Sequence, residues 1–467
     1  MNNDTTTDID SYDGLPMPKR VYAVIAVSLG VTLAVMDTTI VNVALPSIAE
    51  VLQLTEADSI WIINAYQLAI IMFLLSMSAM GEIHSYKKTF LSGMTVFTLA
   101  SLACGLSTNF YSLVISRLIQ GVGAAAMMAV NMTLLRLSYP KHMLGKGIGW
   151  NATIVALALV AGPSIASLIL AFGSWHWLFW INIPVGFIGI IFGLKMLPNN
   201  IVKLSERSFP RRDAILNALF FGSMVLAVEG YSHNWEKWMV VLLIVLMITV
   251  GYIYINRQRH QTYPLLPVDL MRIPIFSVSV VTSICSFTAQ MLALVSLPFY
   301  LQHTLGYTAS EAGLLYISWP FVILFVAPIA GSLIGKIHAG ILGGIGLSIM
   351  ATGLFFLAIL PDNASQANIV WRLMLCGAGF GLFQSPNNNV LMTSSPQKRS
   401  GSASGMLAMA RLLGQTAGAT ILALLYHLTN GAAPRASLYV ASVIALCACL
   451  LSISRMVIPK NMPTSTK

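Results

Sequence analysis

Charge is scarce in this sequence. Of 467 residues only 9 % are Asp, Glu, Lys or Arg, against about 25 % in an ordinary soluble domain, so the chain cannot coat a globular surface with charge. Hydrophobic residues make up 57 % and the mean hydropathy is +0.78, which places the chain among integral membrane proteins. Cysteine is sparse too. Cys104, Cys285, Cys376, Cys447 and Cys449 all lie in apolar runs, with no CxxC pair and no metal-ligand spacing, and they read as buried inert thiols. The eight histidines are scattered without an HExxH, and nothing resembles a P-loop, so neither a bound metal nor ATP as an energy source is expected. An integral-membrane enzyme would need an acid/base pair or a metal cluster at the interface, and neither is visible. The first twenty residues hold Asp4, Asp8, Asp10 and Asp13 without an apolar core; a polar tail is expected there, not a cleavable signal peptide.

What is abundant is apolar runs of membrane-spanning length, about 20 residues each. They fall near 21–46, 59–81, 89–107, 111–135, 147–172 and 177–197, then 213–232 and 238–256. Six more follow near 275–302, 312–334, 340–360, 369–392, 401–427 and 436–455. The expected fold is therefore all-α and integral to the membrane, with fourteen transmembrane helices. Lys and Arg set the orientation. With the N-terminus cytoplasmic, that side collects nearly all of them, from Lys19 and Arg20 through Lys87, Lys88, Arg211, Arg212 and Arg257 to Lys398, Arg399 and Lys460. The other side receives Lys237 and Arg435. The net charge of +10 is thus a topology signal, no nucleic-acid partner is expected, and both termini are placed in the cytoplasm.

Two stretches, "GVGAAAMMAVN" (121–131) and "GAGFGLFQSPN" (377–387), share Gly at the first and third positions and Asn at the eleventh, at an offset of 256 residues. Gly149 pairs with Gly405 and "AGPSI" (161–165) with "AGATI" (417–421) at the same offset. Two six-helix pseudo-repeat halves with an inserted helix pair would produce this pattern. The expected divisions are a tail at 1–20, an N-terminal half at 21–197, a linker and inserted pair at 198–256, a C-terminal half at 257–455 and a tail at 456–467. Parallel halves with a substrate site between them near the midplane are an architecture known from transporters.

The polar residues within the spans sharpen that reading. Asp37 lies about 25 Å along its helix from Arg20, at 1.5 Å per residue, in an otherwise uncharged run. An ionised acid near a helix centre costs about 2.5–3.5 kcal/mol on insertion scales, so it must face a cavity or a partner. Such a carboxylate can carry a proton in one state and a cationic substrate in another; the alternative is an acid that ties two helices together. Arg117, beside the small residues that begin at Gly121, needs a carboxylate, carbonyls or an anionic ligand, because a buried arginine does not readily deprotonate. It suits either a functional role or a clamp between helices. Arg411 lies deeper in its own span. Glu229 is expected to reach the surface. Asn42, Gln67, Gln290, Gln384 and Asn387 are candidate cavity polars, and Trp61, Tyr66, Phe299, Tyr300 and Trp319 candidate aromatic surface.

"MDTTIVNVALP" (36–46), "RLIQGVGAA" (117–125) and "AGPSIAS" (161–167) together resemble signature motifs of the major facilitator superfamily, and with fourteen spans they resemble its drug:proton antiporter branch. The resemblance implies that Asp37 is the proton-coupling carboxylate and Arg117 the arginine implicated in proton transfer. It implies that Gly162 and Pro163 shape the bend of the fifth helix and limit leak. The loop after the second span departs from the family pattern: an aspartate, a glycine and two arginines are replaced by Glu82, Ser85, Lys87 and Lys88. Lysine offers no planar fork, so an arginine-type bidentate clamp cannot form from these residues, although they remain gating candidates.

The expected function is proton-coupled export of small amphipathic compounds, of the multidrug or antiseptic kind, by alternating access. A dedicated exporter or importer of a single metabolite, anionic ones included, is the alternative, and a transport-dead sensor or scaffold a more distant one. No cofactor beyond the proton gradient is expected. The expected partners are substrate, protons and the lipid of a bacterial inner membrane, with the chain monomeric.

Overall fold

The computed structural model describes residues 13–457 apart from 55, 200–207, 233–234, 308, 362–363 and 429–432. Among them no strand forms; a lone bridge joins Ile334 and Ile337. The chain folds as two compact units, one of Met1–Asp269 with Ser395–Met409, the other of Leu270–Ser394 with Ala410–Lys467.

The first unit contains α1 (Lys19–Val51), α2 (Glu56–Ile83), α3 (Tyr86–Gly105), α4 (Phe110–Ser138) and α5 (Leu144–Phe172). A short α6 (Trp177–Trp180) precedes α7 (Asn182–Met196), and α8 (Arg211–Ser232) and α9 (Lys237–Arg259) follow. The second contains α10 (Pro274–Phe299), α11 (Ala309–Tyr316), α12 (Ser318–Leu333), α13 (Ala339–Ala358), α14 (Gln366–Ser394) and α16 (Ala433–Ser454). α15 (Ser400–Leu428) begins in the first unit and continues in the second.

Helices occupy each interval read from the sequence, and polar caps set several of the starts. Asn109 accepts a bond from the amide of Ser112 at the start of α4, and Ser85 one from Lys88 at the start of α3. Ten helical stretches among the described residues are long and apolar enough to cross a membrane. The long helices outside that set also carry charged or amide side chains: Lys87 and Lys88 in α3, Arg211 to Asp213 in α8, Arg372 and Asn387 in α14, Arg411 and Gln415 in α15. Pro163, Pro298, Pro328 and Pro386 lie inside helices, which membrane helices tolerate when neighbouring groups satisfy the freed backbone.

Glycine governs how closely these helices pack. A Cβ on Gly121 would sit 2.5 Å from the carbonyl oxygen of Tyr66 on α2, and one on Gly123 2.6 Å from the backbone nitrogen of Phe97 on α3. In the second unit the same relations hold 256 residues later. Gly377 meets the carbonyl of Trp319 on α12 and Gly379 meets the backbone of Met350 on α13. Gly162 packs α5 on Thr39 of α1, and Gly418 packs α15 on Met291 and Thr288 of α10.

The pair α8 and α9 is fastened to the rest of the first unit. Asn217 on α8 donates to the carbonyl of Met72 on α2 at 2.9 Å and accepts from the Tyr254 hydroxyl of α9 at 3.2 Å. Asp213 holds the base of the pair together, accepting from Arg257 at 2.5 Å and Gln261 at 2.7 Å. An apolar cluster of Ile40, Val41, Ala44, Ile62, Leu113 and Phe179 joins α1, α2, α4 and α6.

Gly123→Val forces two backbones apart, because its neighbours are main-chain atoms that cannot rotate away. Overpacking of this kind costs about 1–3 kcal/mol, so the purified variant is expected to melt several degrees below wild type in a detergent thermal-shift assay.

Candidate functional site

Asp37 is 1 % exposed and Arg117 0 %, and they meet. A terminal nitrogen of Arg117 donates to Oδ2 of Asp37 in an ion pair between α1 and α4. The other carboxylate oxygen is also occupied: Oδ1 accepts from Nε2 of Gln120 at 2.8 Å and from Nδ2 of Asn182 at 3.1 Å. Ser101 on α3 accepts from the same two amides, at 2.8 Å from Gln120 and 3.4 Å from Asn182. Arg117 is held by more than its acid. Its Nε donates to the carbonyl of Ile62 at 3.0 Å, and the nitrogen that meets Asp37 also donates to Oε1 of Gln120 at 2.6 Å. The guanidinium lies 4.3 Å from the ring centroid of Tyr66, a cation–π geometry. Its second terminal nitrogen is buried without a partner among the described residues.

Five helices therefore meet in one network around Asp37, and the sequence explains why they can. Gly121, one residue beyond Gln120, lets α4 approach the backbone of α2, which brings Arg117 under Ile62 and over Tyr66. Gln120 is one turn from Arg117 on the same face of α4. Asn182 opens α7 immediately after the break at Ile181. Chemically the cluster is a charge lock, one carboxylate held by a guanidinium and two amides. Protonation of Asp37 removes the charge that Arg117 and two amides are aimed at, and deprotonation restores it.

A second ionic cluster forms at the ends of α2 and α15, still within the first unit. Glu82 accepts from Arg399 at 3.1 Å and from the backbone nitrogen of Ser402 at 2.6 Å. The same arginine forks onto Asp269, with both contacts at 2.9 Å, and donates to the carbonyl of Pro264 at 2.9 Å. Arg399 thus supplies the planar fork that Lys87 and Lys88 cannot. Lys87 instead donates to the carbonyl of Leu194 at 2.6 Å, and Lys88 is exposed.

The remaining candidates are dispersed. In the first unit Tyr66 is buried beneath Arg117 and donates to the carbonyl of Ala34 at 3.1 Å. Trp61 stacks on Trp235 at 5.9 Å between centroids, and Asn42 and Gln67 are exposed. In the second unit Tyr300 is closed off, its hydroxyl donating to Leu360 and accepting from Arg435. Trp319 is buried beside Gly377. Asn387 donates to Ser283 at 2.7 Å and accepts from Arg455 at 2.7 Å. Gln290, Gln384 and Arg411 are half-buried. The side chains of Phe299 and Glu229 lie outside the described residues. Sequence reading missed Gln120, Asn182 and Ser101. The available signal was a glutamine three residues after an intramembrane arginine.

The chain matches the profile described as the Major Facilitator Superfamily over residues 27–419 and 279–466. The chain belongs to the major facilitator superfamily. It is a multi-pass membrane transporter and not an enzyme. It is 48 % identical over 449 residues to the uncharacterized transporter YebQ of Escherichia coli, covering 96 % of this chain and 98 % of that one. It is 28 % identical to the multidrug resistance protein Stp of Mycobacterium tuberculosis, covering 86 % and 75 %. The solved structure of the proton:xylose symporter XylE aligns over 92 % of this chain and 94 % of that one, with a TM-score of 0.65 at 15 % identity. That likeness establishes the superfamily fold.

Removing one member of a buried ion pair costs about 3–5 kcal/mol, because the other charge is left without compensation. Asp37→Ala and Arg117→Gln are each expected to lower the melting temperature sharply. The double variant Asp37→Asn/Arg117→Gln should lose clearly less than the sum of the single losses, as a thermal double-mutant cycle reads directly.

Proposed function

We propose that this chain is a proton-coupled exporter of small amphipathic compounds from the cytoplasm of a bacterium, working as a monomer in the inner membrane. The observation that carries the reading is the carboxylate of Asp37, buried at membrane depth and held by Arg117, Gln120 and Asn182. An ionisable group so placed marks a proton or substrate pathway in membrane proteins. The multidrug relative at 28 % identity supports export of foreign compounds. The glycine contacts that recur at one offset support two pseudo-repeat halves. In this reading all fourteen helical intervals cross the bilayer, α8 and α9 as an inserted pair, and both termini are cytoplasmic.

Alternating access then follows from the lock. A proton arriving from outside neutralises Asp37, frees Arg117 and loosens the contact among α1, α3, α4 and α7, which favours release of the compound. Loss of that proton to the cytoplasm re-forms the pair and resets the carrier. The cluster of Glu82, Arg399 and Asp269 serves as a latch at the cytoplasmic end. No cofactor takes part; the proton gradient is the energy source.

The test is transport in proteoliposomes with an imposed pH gradient, using fluorescent dansylated amphiphiles as probes. Wild type is expected to concentrate a probe against its gradient, whereas Asp37→Asn moves it only down the gradient. Uphill transport by Asp37→Asn at the wild-type rate would remove Asp37 from the coupling mechanism.

A further inference from the structure

We propose that Arg411 binds an anionic group of the exported compound, so that the substrates are amphipathic organic anions carrying a carboxylate, sulfonate or phosphate. The inference rests on the export reading above and names its substrate class.

Asp37, Glu82 and Asp213 are the buried acids whose side chains are described, and each faces an arginine. With Arg117 on one oxygen of Asp37 and two amides on the other, that carboxylate offers no vacant side to a cationic substrate in this state. Arg117 is likewise matched by its acid, and Arg399 by two. Arg455 has no acid, but it donates to Ser452, Ser279 and Asn387 and is 1 % exposed.

Arg411 is different. Among the described residues it makes no hydrogen bond and no ion pair; its contact is the ring of Phe287, 5.9 Å from the guanidinium carbon to the centroid. It is half-exposed in the middle of a helix, about 16 Å along the axis from Ser400 and about 25 Å from Leu428, at 1.5 Å per residue. Neither end lies within reach of an arginine side chain, so it cannot snorkel out of the hydrocarbon. A charged residue at that depth faces the bundle interior or a water-filled cavity. An arginine cannot escape the cost by losing its proton. A persistent positive charge, open on one side and without a protein acid, is suited to a ligand that brings the negative charge.

The neighbouring polar groups fit the same ligand. Gln415 lies one turn further along the same face of α15, and Gln290 lies three residues beyond Phe287 on α10. Both are half-exposed and make no hydrogen bond among the described residues. Gly414 seats α15 directly on Ile284 and Phe287 of α10, which fixes the guanidinium against an apolar ring. A planar, forked donor beside two amides and an aromatic face would hold an anionic head and an apolar body together.

The experiment compares three probes that share one fluorophore: dansylglycine, which is anionic, dansylglycinamide, which is neutral, and dansylethylenediamine, which is cationic. Proton-driven uptake is measured in proteoliposomes of wild type, Arg411→Gln and Arg411→Lys. Wild type is expected to move dansylglycine best. Arg411→Gln should lower its transport at least tenfold and leave the neutral amide within about twofold, and Arg411→Lys should recover part of the loss. Because Arg411 has no acid to abandon, Arg411→Gln should melt at or above the wild-type temperature, whereas a structural arginine would lower it. Preference of wild type for the cationic probe, or dansylglycine transport unaffected by Arg411→Gln, overturns the assignment of Arg411 and leaves the export reading standing. Failure of wild type to move any of the three probes counts against the export reading itself.

Discussion

An acid and an arginine placed in a hydrocarbon layer have to find each other, and the pairing of Asp37 with Arg117 shapes the unit around it. Each charge is costly alone at membrane depth, and neither is paired by a residue on its own helix. The pair therefore fixes α1 against α4; Gln120 and Asn182, which complete it, bring in α7 and, through the accepting Ser101, α3. The close approach of α2 to α4 at Gly121 serves the same centre by presenting the Ile62 carbonyl and the Tyr66 ring to the guanidinium. A buried ion pair of this kind contributes little net stability compared with apolar packing. What it provides is a contact between α1 and α4 that depends on the charge of both partners.

The second ionic cluster follows a different logic. Glu82 meets both the side chain of Arg399 and the amide of Ser402 at the start of α15, where the helix end favours an anion. Asp269 and the Pro264 carbonyl tie the chain that follows α9 to the same guanidinium. The helices α8 and α9 are thus connected to the cluster through the segment that leaves them, and they are held on α2 through Asn217. Within the first unit, the α8–α9 pair, the end of α2 and the start of α15 share one network.

Much of this was legible in the sequence, and the limits have physical causes. Helical intervals are readable because hydropathy is a local property of about 20 residues. Asp37 and Arg117 stood out because charge within an apolar run is conspicuous. Their mutual pairing was not readable, since they are 80 residues apart and partner choice depends on how helices pack. Gln120 and Asn182 escaped notice because a neutral amide costs far less in a membrane than an ion and leaves a fainter compositional trace. Arg399 looked like one more cytoplasmic cation of the topology signal. Only its position between Glu82 and Asp269 distinguishes it. Tyr300 read as candidate aromatic surface and Asn387 as a candidate cavity polar; their polar atoms bond Arg435 and Arg455, partners that no local pattern announces.

The central claim is that Asp37 itself takes up the coupling proton and in doing so releases Arg117. Infrared difference spectroscopy on the purified transporter in lipid, stepping from alkaline to acid pH, reads that event directly. Wild type is expected to show a protonated-carboxyl band that grows with acidification and is missing from Asp37→Asn, together with a guanidinium shift that is missing from Arg117→Gln. A carboxyl band of equal size in wild type and Asp37→Asn would contradict the claim.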